Sequence, residues 1–406
     1  MRRGSNGNRI WHGRIEIDGE GNYITRNSDS GVTATRRSNG HTVRSTTTEN
    51  GTTFEVRSTD NGTTWTNTSN GRAGRIDQYG QYLETEGTSE VVRGRSRELS
   101  QVIARQEALT REFGIRFRRP GEQVEYDGRT HTLRPPTMEE LDCIQSVLRQ
   151  NRQMNVRDMS FSFIQASSQT DNIGLWGVHR HRGNNGSPEI LLFPQCNVQI
   201  RGWNGLEGTL QHELVHHEQT LSWGEGNWGT GANRAATNRI LRDFGWTYDE
   251  ASGRYRLLDR DRGQWQYNRD SGRWDPMLGG TPTPERSISN DEMRRRAQVH
   301  PSTSYFNLPW ETHAEAQAMY RQDPRQLFGE GAYLFNLMKR YDQDLINSRF
   351  GTQGGQPRMI RGVNGDVVPN TAENRRSLRV REQEWLTAPP LPGNVAQRQG
   401  RCSCCA

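Results

Sequence analysis

Apolar positions are sparse along this chain, and their spacing changes character several times. In the first seventy residues Val43, Phe54 and Trp65 each follow by three the glycine of Asn39-Gly40, Asn50-Gly51 or Asn61-Gly62, a period of eleven. Asn-Gly favours a two-residue turn, and Thr42, Thr53 and Thr64 favour extended backbone, so the repeat predicts a β-meander or stacked β-array within residues 1–95. It has little to bury, and the residues leave open a binding or spacer module and a solvent-exposed arm.

Helical spacing begins near Ser96, where Leu99, Val102, Ile103, Leu109 and Phe113 share a face and Gly114 supplies a stop. Asp127-Gly128 predicts a hairpin, and Thr137 with Glu140 forms a capping box ahead of Met138, Leu141, Ile144, Val147 and Leu148. Short strands are predicted at Met159 to Ile164, Leu175 to Val178 and Glu189 to Phe193. Leu206, Leu210 and Leu214 then recur every fourth residue, an apolar stripe for a helix with Asn204 as its N-cap.

After Gly224, Trp246-Thr247-Tyr248 and Trp265-Gln266-Tyr267 lie nineteen residues apart, leading into Ser252-Gly253-Arg254-Tyr255 and Ser271-Gly272-Arg273-Trp274. Each unit predicts a hairpin with aromatics paired across it, and packing within a small subdomain is favoured over a carbohydrate- or peptide-binding platform. A short polar helix is expected over Ile288 to Val299, another helix from Pro309 through Tyr320, and a third along Tyr333, Leu334, Leu337, Met338 and Tyr341. Past Ser348 the chain reads as a mostly extended tail. The division is therefore 1–95, 96–345 with an aromatic hairpin insertion at 225–285, and a flexible tail at 346–406.

Composition fits low-complexity arms around a compact middle: of 406 residues only 31% are hydrophobic, with 43 glycines and a mean hydropathy of −0.98. The net charge of +6 is carried by arginine, with Lys339 the only lysine, and is scattered among acids, which disfavours a nucleic-acid partner. No apolar run is long enough to span a membrane, and Met1-Arg2-Arg3 leads into Gly4-Ser5-Asn6 with no hydrophobic signal region. The expected location is cytoplasmic, or exported by a route without a signal peptide. Cys143 and Cys196 are isolated, while Cys402, Cys404 and Cys405 form a terminal cluster suited to a soft metal, to intermolecular disulfides, or to no role at all.

The chemistry is concentrated in His212-Glu213-Leu214-Val215-His216. Residues four apart stack on one helix face, so two imidazoles can reach one ion with a carboxylate beside them, an arrangement suited to zinc. A catalytic zinc site generally takes three protein ligands. The metzincin pattern is excluded as the source of the third, because Gln219 and Ser222 stand where its glycine and histidine would be.

The motif resembles the gluzincin class of zinc metallopeptidases, in which a downstream helix supplies a glutamate ligand and an acidic residue four positions later holds a ligating histidine. Pro309-Trp310-Glu311-Thr312-His313-Ala314-Glu315-Ala316 looks like that helix, with Glu311 and Glu315 one turn apart. The resemblance spans roughly Ser96 to Tyr341 and departs in spacing, since 94 residues separate His216 from Glu311 and that gap exceeds the usual one. It implies an α+β fold: a zincin-like domain with a small mixed sheet and an active-site helix, plus the β-repeat arm.

The resemblance further implies Zn2+ held by His212, His216 and Glu311, Glu315 behind them, and Glu213 as the general base for hydrolysis of a protein or peptide substrate. Glu218, Glu225, His300 and His313 remain alternatives for the third ligand, and Tyr305, His300, His313 and Tyr320 candidates for oxyanion stabilisation. Substrate is expected along a sheet edge, at Leu175 to Val178 or Glu189 to Phe193. The competing expectation is a catalytically inactive zincin-like binding or structural protein whose repeats carry the function.

Overall fold

The computed structural model describes residues 15–17, 23–26, 33–36, 42–48, 53–60, 64–167, 170, 176–183, 186–197, 205–223, 234–268, 270–297, 308–327 and 333–387. The chain divides into two compact units, Met1–Glu112 with Arg119–Glu122 and Thr132–Leu141, and Phe113–Arg118 with Gln123–His131 and Asp142–Ala406. The Asn-Gly pairs of the eleven-residue repeat, Asn204, Glu225, His300, Tyr305 and the terminal cysteines lie outside the described residues.

Among its described residues the first unit carries nine strands, each antiparallel to the next: β1 (Ile15–Ile17), β2 (Tyr23–Arg26), β3 (Thr33–Arg36), β4 (Thr42–Thr47), β5 (Thr53–Ser58), β6 (Trp65–Asn67), β7 (Ala73–Ile76), β8 (Gln81–Glu86) and β9 (Ser89–Arg95). A bridge from Thr47 to Arg95 returns the pairing from β9 to β4. Phe54 and Trp65 of the repeat join Val56, Ile76 and Tyr82 in a small apolar cluster. Helix α1 (Arg97–Phe113) follows, and it stops where Gly114 takes a φ of +74°.

The mixed sheet is built from β10 (Arg116–Phe117), β11 (Gln123–Tyr126), β12 (Arg129–Arg134), β13 (Ser160–Ile164), β14 (Gly177–Arg180) and β15 (Glu189–Leu192), in the order β11-β12-β13-β15-β14 with β10 also on β13. The Asp127-Gly128 turn has φ of +51° and +67°, the conformation a tight hairpin requires. Strand β13 runs parallel to β10 and β15 and is buried at every position. Strand β14 pairs antiparallel with β15 and ends that path, so one of its edges is unpaired by any described strand. Helix α2 (Met138–Gln150) opens on the expected capping box: Glu140 N–H donates to Thr137 Oγ1 at 3.2 Å, and Thr137 N–H donates to Glu140 Oε2 at 2.7 Å.

Helix α3 (Gly205–Trp223) buries Leu206, Leu210, Leu214 and Val215. Helix α4 (Arg234–Asp243) has no counterpart among the sequence expectations, because Leu241 is the one strongly buried apolar side chain described in it. The aromatic repeats form β16 (Trp246–Asp249), β17 (Arg254–Leu258), β18 (Gln264–Asn268), β19 (Arg273–Leu278) and β20 (Thr281–Pro282), one meander. Tyr248 faces Tyr255 at 4.9 Å between ring centroids and Tyr267 faces Trp274 at 5.3 Å, as cross-strand pairs. Trp246, Leu257 and Trp274 share one core with Ala316, Met319, Leu337 and Met338, so this segment is part of the second unit's interior.

Three helices follow: α5 (Asn290–Arg296), α6 (Pro309–Gln322) and α7 (Tyr333–Phe350). The extended tail expected past Ser348 is corrected over its described part, which holds two short hairpins between Thr352 and Pro369 and helix α8 (Ala372–Thr387). Buried polar anchoring replaces apolar periodicity there: Arg361 donates through Nε to Asp342 Oδ2 at 2.7 Å, and Trp385 rests against Phe335. No described helix is long and apolar enough to cross a membrane.

Candidate metal centre

Two helices make this site. On α3, His212 and His216 fall one turn apart; on α6, Glu311 and Glu315 do the same, and all four are at most 7% exposed. Ala314, Ala316 and Ala318, each fully buried, keep the α6 surface low where the chain packs. His212 Nε2 and His216 Nε2 are 3.0 Å apart, and Glu311 Oε2 lies 3.2 Å from the first and 3.3 Å from the second.

The outer nitrogens decide what faces inward. His212 Nδ1 is 3.2 Å from Glu315 Oε2, a carboxylate that accepts, so Nδ1 carries the proton. His216 Nδ1 is 2.8 Å from Gln219 Oε1. The amide's other atom, Nε2, donates to Trp310 O at 3.0 Å, which fixes Oε1 as the acceptor and gives His216 the same tautomer. Both Nε2 lone pairs and the Glu311 oxygen therefore converge on one point.

Such a set is repulsive unless a cation or proton lies among its members. Ligand atoms about 2.0–2.1 Å from a tetrahedral zinc lie roughly 3.3 Å from one another, and the 3.0–3.3 Å triangle matches that spacing. Among the described residues this is the one group of three or more His, Cys, Asp or Glu that could hold a metal ion. The same geometry shifts the side chains' proton affinities. Burial pushes the Glu311 carboxyl up, but His216 and His212 outweigh it and hold the group down at about 2. For His216 burial acts downward, and Glu311 overcomes it to leave the imidazole above its ordinary value.

Glu213 is 1% exposed and accepts from the backbone N–H of His179 at 2.7 Å, which joins α3 to edge strand β14. The approach is close: a Cβ on Gly177 would lie 2.5 Å from Thr209 Cγ2 and 3.1 Å from Glu213 Cγ. His179 continues outward, its Nε2–H donating to His217 Nδ1 at 3.3 Å while His217 Nε2–H donates to Asn155 O at 2.8 Å. Of the two strands considered for substrate, β14 is the edge, whereas β15 is paired on both sides.

The remaining candidates sort by position. Glu218 does not face the cluster: its carboxylate accepts from buried Arg321 at 3.0 Å. His313 lies on α6 but presents Nδ1 to Gln219 Nε2 at 3.0 Å, and burial, with Arg321 and His216 nearby, pulls it down to about 3, so it stays neutral. Tyr320 is nine residues beyond Glu311, about 13 Å along the helix, which removes it from the site. Sequence spacing missed Gln219, which entered only as a departure from a motif, and missed the backbone of His179, which has no sequence signature at all.

No family model and no curated protein matches the chain. Among solved structures it is similar to a candidate zinc-binding metallo-peptidase from Bacteroides caccae, 12% identical over 71% of this chain and 94% of that one, with a TM-score of 0.35. A likeness that distant decides nothing about site or activity.

Proposed function

We propose that the chain is a zinc-dependent metallopeptidase, with His212, His216 and Glu311 as ligands and Glu213 as the general base. The observation that carries it is the convergence of three lone pairs at 3.0–3.3 Å beside a buried carboxylate held by an edge-strand amide. Zinc bound there would supply Lewis acidity to a peptide carbonyl and acidify water toward a pKa of about 7.

The protein's own groups do the rest. Glu315 and Gln219 hold the two imidazoles in the ligating tautomer. Glu213, desolvated and fixed by His179 N–H, accepts the proton of the attacking water and passes it to the leaving amine, forming an amine and a carboxylate from one amide bond and one water. Strand β14 offers the open edge along which an extended peptide would lie.

Glu213→Gln keeps the size of the side chain and removes the base. Zinc content by atomic absorption should be unchanged while cleavage of casein or a peptide library drops about 10²–10⁴-fold. Equal cleavage by the variant sinks the mechanism. A zinc-loaded wild type that cleaves no member of a broad library points instead to the non-catalytic binding protein.

A further inference from the structure

Resting on that zinc-site reading, we propose that Gln219 is a positioning residue of the centre, the neutral clamp that sets the tautomer of His216 and ties the ligand pair of α3 to the ligand helix α6. The two histidines are held differently. His212 gives its Nδ1–H to a carboxylate, Glu315, whereas His216 gives its Nδ1–H to an amide that is itself fully engaged.

Gln219 is 3% exposed, and each of its polar atoms has a defined partner: Oε1 on His216, Nε2 on Trp310 O and on His313 Nδ1. A buried amide with these partners cannot turn over. Rotation by half a turn would aim an N–H at the His216 N–H and an oxygen at the Trp310 carbonyl, two repulsive contacts in place of attractive ones. The amide orientation is thus set by α6 and is read by the imidazole on α3. Trp310 and His313 flank Glu311 in sequence, so the clamp grips α6 at the turn that presents the third ligand. Neutrality also matters: a second carboxylate here would face Trp310 O and His313 Nδ1, which accept, and would add charge where Glu315 already supplies one.

The test uses the full chain and two readouts that need no peptidase activity. In metal-free protein, at a pH high enough that both rings are neutral, 15N-detected NMR should show His212 and His216 each carrying its single proton at Nδ1. Gln219→Met, close in size but without either polar function, should release His216 to a mixture of tautomers while His212, held by Glu315, stays as it is. Zinc affinity measured by chelator competition should weaken about 10–100-fold in Gln219→Met. His313→Leu should weaken it a few-fold, about 3-fold, and His313→Gln, which keeps an acceptor for the amide, should restore most of that.

An unchanged His216 tautomer in Gln219→Met, or zinc affinity within about 2-fold of wild type, overturns the role of Gln219. Wild type that binds zinc and cleaves nothing overturns the peptidase and leaves the clamp standing. Should wild type not bind zinc, the tautomer measurement still decides the clamp by itself.

Discussion

Glu311 and Glu315 are one turn apart, equally buried, and both touch His212, yet they meet different nitrogens of it. Glu311 adds a lone pair to the converging set, while Glu315 only fixes a ring. Glu315→Ala should therefore cost zinc affinity about 10–100-fold, and Glu311→Ala more than that, both read by chelator competition; the reverse order would exchange their assigned roles. Protons compete for the same point. His216, its imidazole raised above the ordinary value by Glu311, binds a proton there more readily than a free histidine does. Its contribution to the stability of the metal-free protein is complete below the unfolded value of about 6.5 and is lost as pH rises through the higher folded value. That of Glu311, held down at about 2, is present above the unfolded value of about 4.3 and is lost as pH falls toward 2. Zinc affinity should accordingly decline on acidification starting above pH 6.5, with a proton released per ion bound, measurable by calorimetry in buffers of different ionisation enthalpy. At this scale the convergence of His212, His216, Glu311 and Glu315 was legible in the sequence, because the i, i+4 spacing of each helix puts its pair on one face. Gln219 was not, since a neutral amide acquires its meaning only from the partners the fold brings to it.

Elements were legible where one periodicity dominated. The strands over 160–164 and 189–192, the capping box of α2, the paired aromatic hairpins and α6 all fall where the pattern puts them. Pairing order was not, because β14 precedes β15 in the chain but lies outside it in the sheet, and short apolar runs carry no information about neighbours. What puts β14 against α3 is the missing side chain of Gly177. Gly177→Ala should force strand and helix apart, since its Cβ would meet Thr209 Cγ2 at 2.5 Å, and should cost about 1–3 kcal/mol in urea denaturation. Adding Thr209→Ser removes that methyl and keeps the hydroxyl that donates to Gly205 O at 2.6 Å, so the double variant should recover much of the loss. No recovery would mean that the contact with Glu213 Cγ, at 3.1 Å, is the limiting one.

In the second unit, α3, α6, α7 and the hairpins beyond it meet in a buried ionic cluster. Arg321 on α6 bonds Glu218 on α3 at 3.0 Å and Asp342 on α7 at 3.1 Å, while Arg361 reaches Asp342 through Nε at 2.7 Å and through its terminal nitrogen at 2.8 Å. Arg361 also donates to the carbonyls of Gln150 and Gly365, each at 2.6 Å. This cluster is why the segment past Ser348 could not be read as structured: its anchor is one guanidinium among many arginines, in a stretch with no apolar period. Asp342 is the shared anion, 1% exposed, so Asp342→Leu leaves two guanidinium groups buried with one carboxylate, Glu218, between them. Removing one partner from a buried ionic set costs about 3–5 kcal/mol, because the remaining charge keeps its desolvation without its attraction. Arg381→Ala, which breaks an exposed pair with Glu384, should cost under about 1 kcal/mol. Urea denaturation followed by tryptophan fluorescence compares the two directly. Because Arg321 and Glu218 sit on the two helices that carry the proposed zinc ligands, the Asp342 variant should also lower zinc affinity while the Arg381 variant does not. An Asp342→Leu protein as stable as the Arg381→Ala protein would show that the cluster is not what holds the hairpins and the two motif helices together.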